Sequence, residues 1–393
     1  MVFQGIKTLD DADIKKKKVL LRVDYNVPLA ESGDILDDFR IKESLPTIKK
    51  LLRKGAKQVI IMTHLGRPEG KINEKFRLNR VAQRLSQLIK KNVEKLNDCV
   101  NIKNEISLYK DSQIIMLENL RFHEEEEING AEFAKELASL ADIYVNDAFG
   151  VSHREHASVH AILRYIPGYI GLLVEKELRV FSELTENPEH PFMAIIGGSK
   201  LETKLPLITK LLDKTEKILL GGAMIFTFYK AKGYSTGKSL VDKNSITMAK
   251  MLGNNEKIIL PIDIAVADDK DNPTQIVETL PRMIPSYMMG LDLGRKSIQQ
   301  FKQELTTAKT VVWNGPLGYY ENKKFMLATV AILKYLANRE DIKTIIGGGD
   351  TASIVQALKL EDKFYHVSTG GGASLTLLEG KTLPGIEALR NQK

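Results

Sequence analysis

Short runs of consecutive apolar residues alternate with longer stretches of helical spacing along most of the chain. The first run, Lys18-Val19-Leu20-Leu21-Arg22-Val23, stops at Asp24-Tyr25-Asn26-Val27-Pro28, where the proline ends strand pairing. Residues 38–54 then put Ile41, Leu45, Ile48, Leu51 and Leu52 on one helix face and stop at Gly55. The same alternation predicts strands over 57–62, 113–117 and 143–145 and helices over 77–91 and 129–140. These strands also end in polar residues: Thr63-His64-Leu65-Gly66-Arg67-Pro68, Glu118-Asn119-Leu120-Arg121-Phe122-His123, and the stretch from Asn146 to His156. Residues 169–184 have strong helical spacing between the breakers Pro167-Gly168 and Asn187-Pro188, which suits a joint between domains. Beyond it, predicted strands at 192–196, 218–220, 311–314, 344–346 and 364–367 run into glycine turns, and a helix over 375–379 follows the last of them.

Strands alternating with helices predict an α/β fold with parallel sheets and right-handed crossovers, so the strand ends open on one edge. In open α/β sheets that edge is where ligands bind. A length of 393 residues exceeds one ordinary core and predicts two domains of similar size. Hydrophobic content of 43% with 27% charged residues is that of a globular protein, and no run is apolar for long enough to span a bilayer. The lysine-rich residues 1–18 lack a following apolar signal segment, and the single Cys99 cannot form an internal disulfide, so a cytoplasmic location is expected. The net charge of +7 favours anionic ligands. Nucleic acid is not the expected one, because the basic residues are scattered over amphipathic helices without aromatic interleaving.

Candidate chemistry gathers at the strand ends. Arg40, His64, Arg67, Arg121 and Arg154, dispersed in sequence, are expected to converge with Asp24 and Asn26 on one edge. Guanidinium forks bind phosphate or carboxylate bidentately, and Asp24 among them calls for a ligand hydroxyl, so a hydroxy-acid phosphate fits. His153 and His156 either touch that anion or support its loop, while the acidic run 124–127 is expected to be solvated. In the second half, Gly197-Gly198, Gly221-Gly222, Gly347-Gly348-Gly349 and Gly370-Gly371-Gly372 leave bare amides at strand-to-helix turns, the arrangement that holds phosphoryl oxygens. Lys200 and Lys204, four apart, are expected on one helix face over the first of these turns. Asp350 would repel a bare pyrophosphate, which favours a magnesium–nucleotide complex over NAD, and Glu321 could accept from ribose hydroxyls. The only tryptophan, Trp313, is expected in the core. The stretch Gly233-Tyr234-Ser235-Thr236-Gly237-Lys238-Ser239 is not a P-loop: it has three residues between its glycines instead of four and follows a helical stretch. A NAD-linked dehydrogenase and a non-catalytic anion-binding protein are the rival classes.

The chain resembles the phosphoglycerate kinase family along essentially its whole length. The resemblance is carried by residues 19–28, His64-Leu65-Gly66-Arg67-Pro68, Leu117-Glu118-Asn119-Leu120-Arg121-Phe122, and residues 146–156, 311–318, 347–351 and 368–383. It implies two Rossmann-like three-layer αβα domains with mostly parallel sheets facing across a cleft. Residues 1–168 would bind 3-phosphoglycerate or 1,3-bisphosphoglycerate, residues 169–187 form an interdomain helix, and residues 188–377 bind ATP or ADP. A C-terminal segment of about residues 378–393 would return to the first domain. It further implies a triose site of Asp24, Asn26, Arg40, His64, Arg67, Arg121 and Arg154. Its nucleotide site would comprise Lys200, Lys204, Gly290, Asn314, Glu321, Gly348, Gly349, Asp350 and Thr351, with Asp350 on Mg2+. Gly371 and Gly372 would hold the group in transit, with Arg40, Lys200 and Lys204 completing the catalytic set in a cytoplasmic monomer that uses neither nucleic acid nor membrane. Three departures from the family pattern are Gly-Gly-Ser-Lys-Leu-Glu-Thr-Lys at 197–204, Ser286-Tyr287-Met288-Met289, and Glu155 beside Arg154.

Overall fold

The computed structural model describes residues 5–109 and 113–392. The first four residues of the lysine-rich N-terminal stretch and the last residue of the C-terminal segment therefore lie outside the described part. The chain divides into two compact units, one running to Glu186 and taken up again from Lys381, the other Asn187–Gly380.

The first unit runs β1 (Lys18–Val23), α1 (Phe39–Arg53), β2 (Gln58–Met62), α2 (Asn79–Ile89), β3 (Glu94–Lys95), α3 (Lys103–Leu108), β4 (Ile114–Met116), α4 (Glu124–Glu127), α5 (Ala131–Ala138), β5 (Ile143–Asp147), β6 (Gly168–Ile170) and α6 (Leu172–Glu186). Its six-stranded sheet has the order β3-β4-β2-β1-β5-β6, with every pair parallel. The central strands are buried on both faces, which is why they read as continuous apolar runs instead of alternating ones. Leu21, Val23, Val59 and Ile61 pack with Ile41, Ile48 and Leu51 of α1 and Val81 and Leu85 of α2 in one cluster.

The second unit runs β7 (Phe192–Ile196), α7 (Leu205–Leu212), β8 (Lys217–Leu220), α8 (Ile225–Ala231), α9 (Ile246–Leu252), β9 (Ile258–Ile259), β10 (Ile264–Ala267), β11 (Ile276–Thr279), β12 (Met289–Leu293), α10 (Arg295–Glu304), β13 (Thr310–Asn314), α11 (Leu327–Ala337), β14 (Lys343–Gly347), α12 (Gly349–Ala357), β15 (His366–Val367) and α13 (Gly371–Leu378). Six parallel strands take the order β15-β14-β13-β7-β8-β9, and a separate antiparallel sheet has the order β11-β10-β12. The last helix, α14 (Pro384–Arg390), belongs to the first unit. There Gly385 N–H donates to the Ser152 carbonyl at 3.0 Å, and Gly168 N–H donates to Oε1 of Gln392 at 2.9 Å.

Several elements differ from the sequence expectation. Tyr169 sits on β6, and the helix that follows starts at Leu172, because the Asp147 carboxylate accepts from the N–H groups of Leu173 and Val174 and fixes the first turn there. The acidic run is a short helix with Glu124, Glu125 and Glu127 exposed as expected, but its Glu126 is fully buried. Helix α13 begins at Gly371, four residues earlier than its apolar spacing implies, so the glycines themselves form its first turn. Trp313 is fully buried.

Candidate functional site

In the first unit the parallel order brings the carboxyl ends of β1, β2, β4 and β5 to one edge. Asp24 follows β1, and Arg40 lies in the first turn of α1 with its Nη1 2.7 Å from Asp24 Oδ2. Burial works against the charge on Asp24, but Arg40 above all outweighs it and holds the carboxyl at about 2. Asn26 Oδ1 accepts from Gly66 N–H at 2.9 Å, and Arg121 Nη1 donates to the Gly66 carbonyl at 2.8 Å. One glycine thus ties together the loops after β1, β2 and β4.

Arg121 is almost wholly buried, and its Nε lies 3.3 Å from Glu127 Oε1, an ion pair without hydrogen-bond geometry. Burial lowers its pKa, Glu127 pulls the other way, and Arg154 and Arg22 lower it further by repulsion. His156, under the same guanidinium groups, is pushed down to about 3 by burial and by Arg22, Arg121 and Arg154. Such crowding of cations in a partly desolvated edge is costly without an anion, which is the physical sign of an anion site. His64 is buried and kept neutral, first by burial and then by Arg22 and Arg121 against the opposing pull of Asp24. Arg67 is exposed, and Arg154 Nε lies 3.4 Å from His153 Nε2.

In the second unit the ends of β7, β8, β13, β14 and β15 form the corresponding edge. The glycines there divide into two kinds. A Cβ on Gly197 would meet the Pro316 carbonyl oxygen at 1.9 Å, and one on Gly315 (φ +89°) would meet that of Gly197 at 2.3 Å, so these two let backbones touch. Gly349, by contrast, has nothing within 4 Å of where a Cβ would stand, and the Cβ position of Gly371 lies 3.0 Å from the Gly349 nitrogen. The first turns of α12 and α13 therefore lie side by side with their amides open, at two helix N-termini.

Lys204 Nζ donates to Asn314 Oδ1 at 2.5 Å, and its stem passes 3.2 Å from the Cβ position of Gly198. Burial lowers the Lys204 pKa, with Asp350 and Glu379 pulling the other way. Lys200 and Lys204 do not share a helix face: α7 starts only at Leu205, where Pro206 suits a helical first turn, and Lys200 is exposed in the loop before it. Asn314 Nδ2 is buried without a partner and is 3.1 Å from the Cβ position of Gly348, so a donor is aimed at the α12 turn with nothing to receive it. Thr351 Oγ1 accepts from Gly315 N–H at 3.0 Å, and Asp350 stands exposed at the α12 start.

Beside these turns lies a cavity of about 510 Å³ with Gly198, Gly290, Glu321 and Asp350 in its wall. Phe226, Leu240, Leu291, Pro316 and Leu317 give it an apolar side. That size and lining suit a nucleoside. Sequence reasoning missed the β10–β12 sheet that supplies Gly290 and Leu291. It also set aside residues 233–239, yet Lys238 and Ser239 line the cavity and Ser239 Oγ accepts from Gly290 N–H at 2.9 Å. The stretch still has no strand-loop-helix geometry, since Gly233 comes after the end of α8 with one residue between.

Comparison with known proteins gives one consistent answer. The family profile described as phosphoglycerate kinase matches residues 9–381. The phosphoglycerate kinase of Trichodesmium erythraeum is 48% identical over 400 residues, with 100% of both chains covered, and that of Dictyoglomus turgidum is 47% identical over 401 residues, again with 100% of both. Among solved structures, phosphoglycerate kinase from Pyrococcus horikoshii superposes with a TM-score of 0.86 at 30% identity over 98% of each chain. The structure of the Coxiella burnetii phosphoglycerate kinase gives 0.83 at 35% identity over 99% of this chain and 100% of the other.

Proposed function

The chain belongs to the phosphoglycerate kinase family, and on that premise we propose which of its residues carry the reaction. The reaction is the reversible transfer of the acyl phosphate of 1,3-bisphosphoglycerate to ADP, giving 3-phosphoglycerate and ATP. The triose binds at the first unit's edge: Arg67, Arg121 and Arg154 take its phosphate, His64 and Asn26 donate to its oxygens, and Asp24 accepts from its hydroxyl. The nucleotide binds at the second unit's edge, its base and ribose in the cavity by Gly290 and Glu321, and its phosphates over Gly348, Gly349 and Thr351. The observation that carries this reading is the buried, partnerless Asn314 Nδ2 facing open helix amides, a donor set that suits phosphate and little else.

Asp350 would hold Mg2+ beside the phosphates, since one carboxylate plus nucleotide oxygens is a usual magnesium site. The metal supplies charge neutralisation when bound. In the ATP-consuming direction the nucleophile is a carboxylate already ionised at neutral pH, so no general base is needed. Catalysis then rests on in-line positioning and charge stabilisation. Arg40 neutralises the attacking carboxylate end, Lys200 and Lys204 the leaving phosphate, and the amides of Gly371 and Gly372 the group in transit. Because the two substrates are carried by different units, transfer requires both at one place with water excluded, or ATP would be hydrolysed.

A cytoplasmic monomer completes the proposal, and light scattering tests the monomer. The deciding experiment is a coupled assay with ATP and 3-phosphoglycerate, run with and without magnesium. Turnover that depends on the metal is expected, and Arg40→Ala should lower kcat on the order of 10²–10³-fold with the fold intact. Near-normal turnover of that variant would remove Arg40 from the mechanism, and a wild type without turnover would overturn the reading.

A further inference from the structure

We infer that Arg22 and Glu126, a fully buried pair beneath the basic edge, are positioning residues that hold His64 as its Nε2–H tautomer, donor outward to the substrate. This rests on the reading of His64 as a triose ligand.

Arg22 is the penultimate residue of β1 and has no exposed surface. Its Nε donates to Ser158 Oγ at 2.8 Å, its Nη1 to the Val23 carbonyl, and its Nη2 lies 3.3 Å from His64 Nδ1. A guanidinium has only donors and does not lose its proton in a protein, so whatever faces it must accept. Nδ1 of His64 must therefore be bare, and a neutral ring then carries its proton on Nε2. The alternative tautomer would place Nδ1–H against the guanidinium. Its other acceptor, Asp24 Oδ1, is 3.9 Å away, beyond hydrogen-bond reach. Among the described residues no protein group accepts from Nε2, which leaves that donor for a ligand.

The direction is fixed from below by Glu126. Ser158 N–H and Oγ both donate to its carboxylate, at 3.0 and 2.7 Å. The hydroxyl's single proton is thus spent on Glu126, and its oxygen can only accept from Arg22. Glu126 Oε1 is also 3.7 Å from Arg22 Nη2, the counter-charge that a buried guanidinium requires. A glutamate from the acidic run, read from sequence as solvated, is therefore the anchor of the plane in which the Arg22 fork lies.

The test is nitrogen-15 NMR of His64 in the ligand-free protein, together with 3-phosphoglycerate kinetics. The wild type should show the Nε2–H tautomer alone. The double variant Arg22→Met/Glu126→Gln removes the donor while keeping the interior charge balanced. It should populate Nδ1–H and raise KM for 3-phosphoglycerate about tenfold, the worth of one oriented hydrogen bond to a charged group, with kcat within about twofold; Arg22→Lys, which keeps a donor, should restore most of the KM. Nδ1–H in the wild type overturns the inference without recourse to any variant. A tautomer switch with unchanged KM overturns the positioning role, and traces that failure to His64 not being a triose ligand.

Discussion

At the scale of single residues, groups near the two edges are held in states that solvent alone would not favour. Asn314 is the clearest case, with its oxygen accepting from Lys204 and its nitrogen donating to nothing. Asn314→Asp keeps the acceptor for Lys204 and replaces the free donor with a charge that repels phosphate. Nucleotide affinity should fall at least about tenfold, the loss of one charge-assisted hydrogen bond, while the unfolding temperature stays at or above that of the wild type. Calorimetric titration and thermal unfolding read the two effects separately, and unchanged affinity would mean that this nitrogen does not meet phosphate. Arg40, His64, Arg121 and Arg154 were legible as neighbours because each follows or adjoins a strand of one parallel sheet. Glu126 was not, since four glutamates in a row carry no periodicity to say which one points inward.

At the scale of elements, Asp147 links β5 to α6. Its Oδ1 accepts from Leu173 N–H at 2.9 Å, and burial raises its pKa from the ordinary 3.8 to about 7. A carboxyl raised on folding stabilises the fold in its protonated form. That contribution is fully present below 3.8 and lost as pH climbs through about 7. Asp292, raised by burial to about 7, acts in the same direction. Asp147→Asn keeps the acceptor and removes the ionisation, so the fall in unfolding temperature across that interval should become shallower. An unchanged slope would show that Asp147 does not titrate with folding. Element types were legible from the apolar runs, and element ends less so. Pro206 set the start of α7 after Lys204, and the Asp147 carboxylate set the start of α6, both of which are tertiary or backbone effects that spacing does not record. The antiparallel β10–β12 sheet was missed because its strands are short and β11 is largely exposed.

At the scale of the whole molecule, the first unit is discontinuous in sequence, closed by α14 from the far end of the chain. Leu383, Ile386 and Leu389 are buried there, and burial of such side chains is worth about 1.5–3 kcal/mol each. Together that is comparable with the margin of a typical domain, about 5–15 kcal/mol. Removing residues 381–393 should therefore lower the unfolding transition of the first unit and leave that of the second in place. It should also raise KM for 3-phosphoglycerate, because Gly385 braces Ser152 two residues before Arg154. Scanning calorimetry with kinetics would detect both, and a single unshifted transition would show that α14 adds nothing. The order of synthesis then inverts the order of completion. A ribosome emits most of the first unit early and its closing helix last, whereas Asn187–Gly380 emerges as one uninterrupted piece. The second unit can thus mature on the nascent chain while the half made first waits, unfinished, for α14.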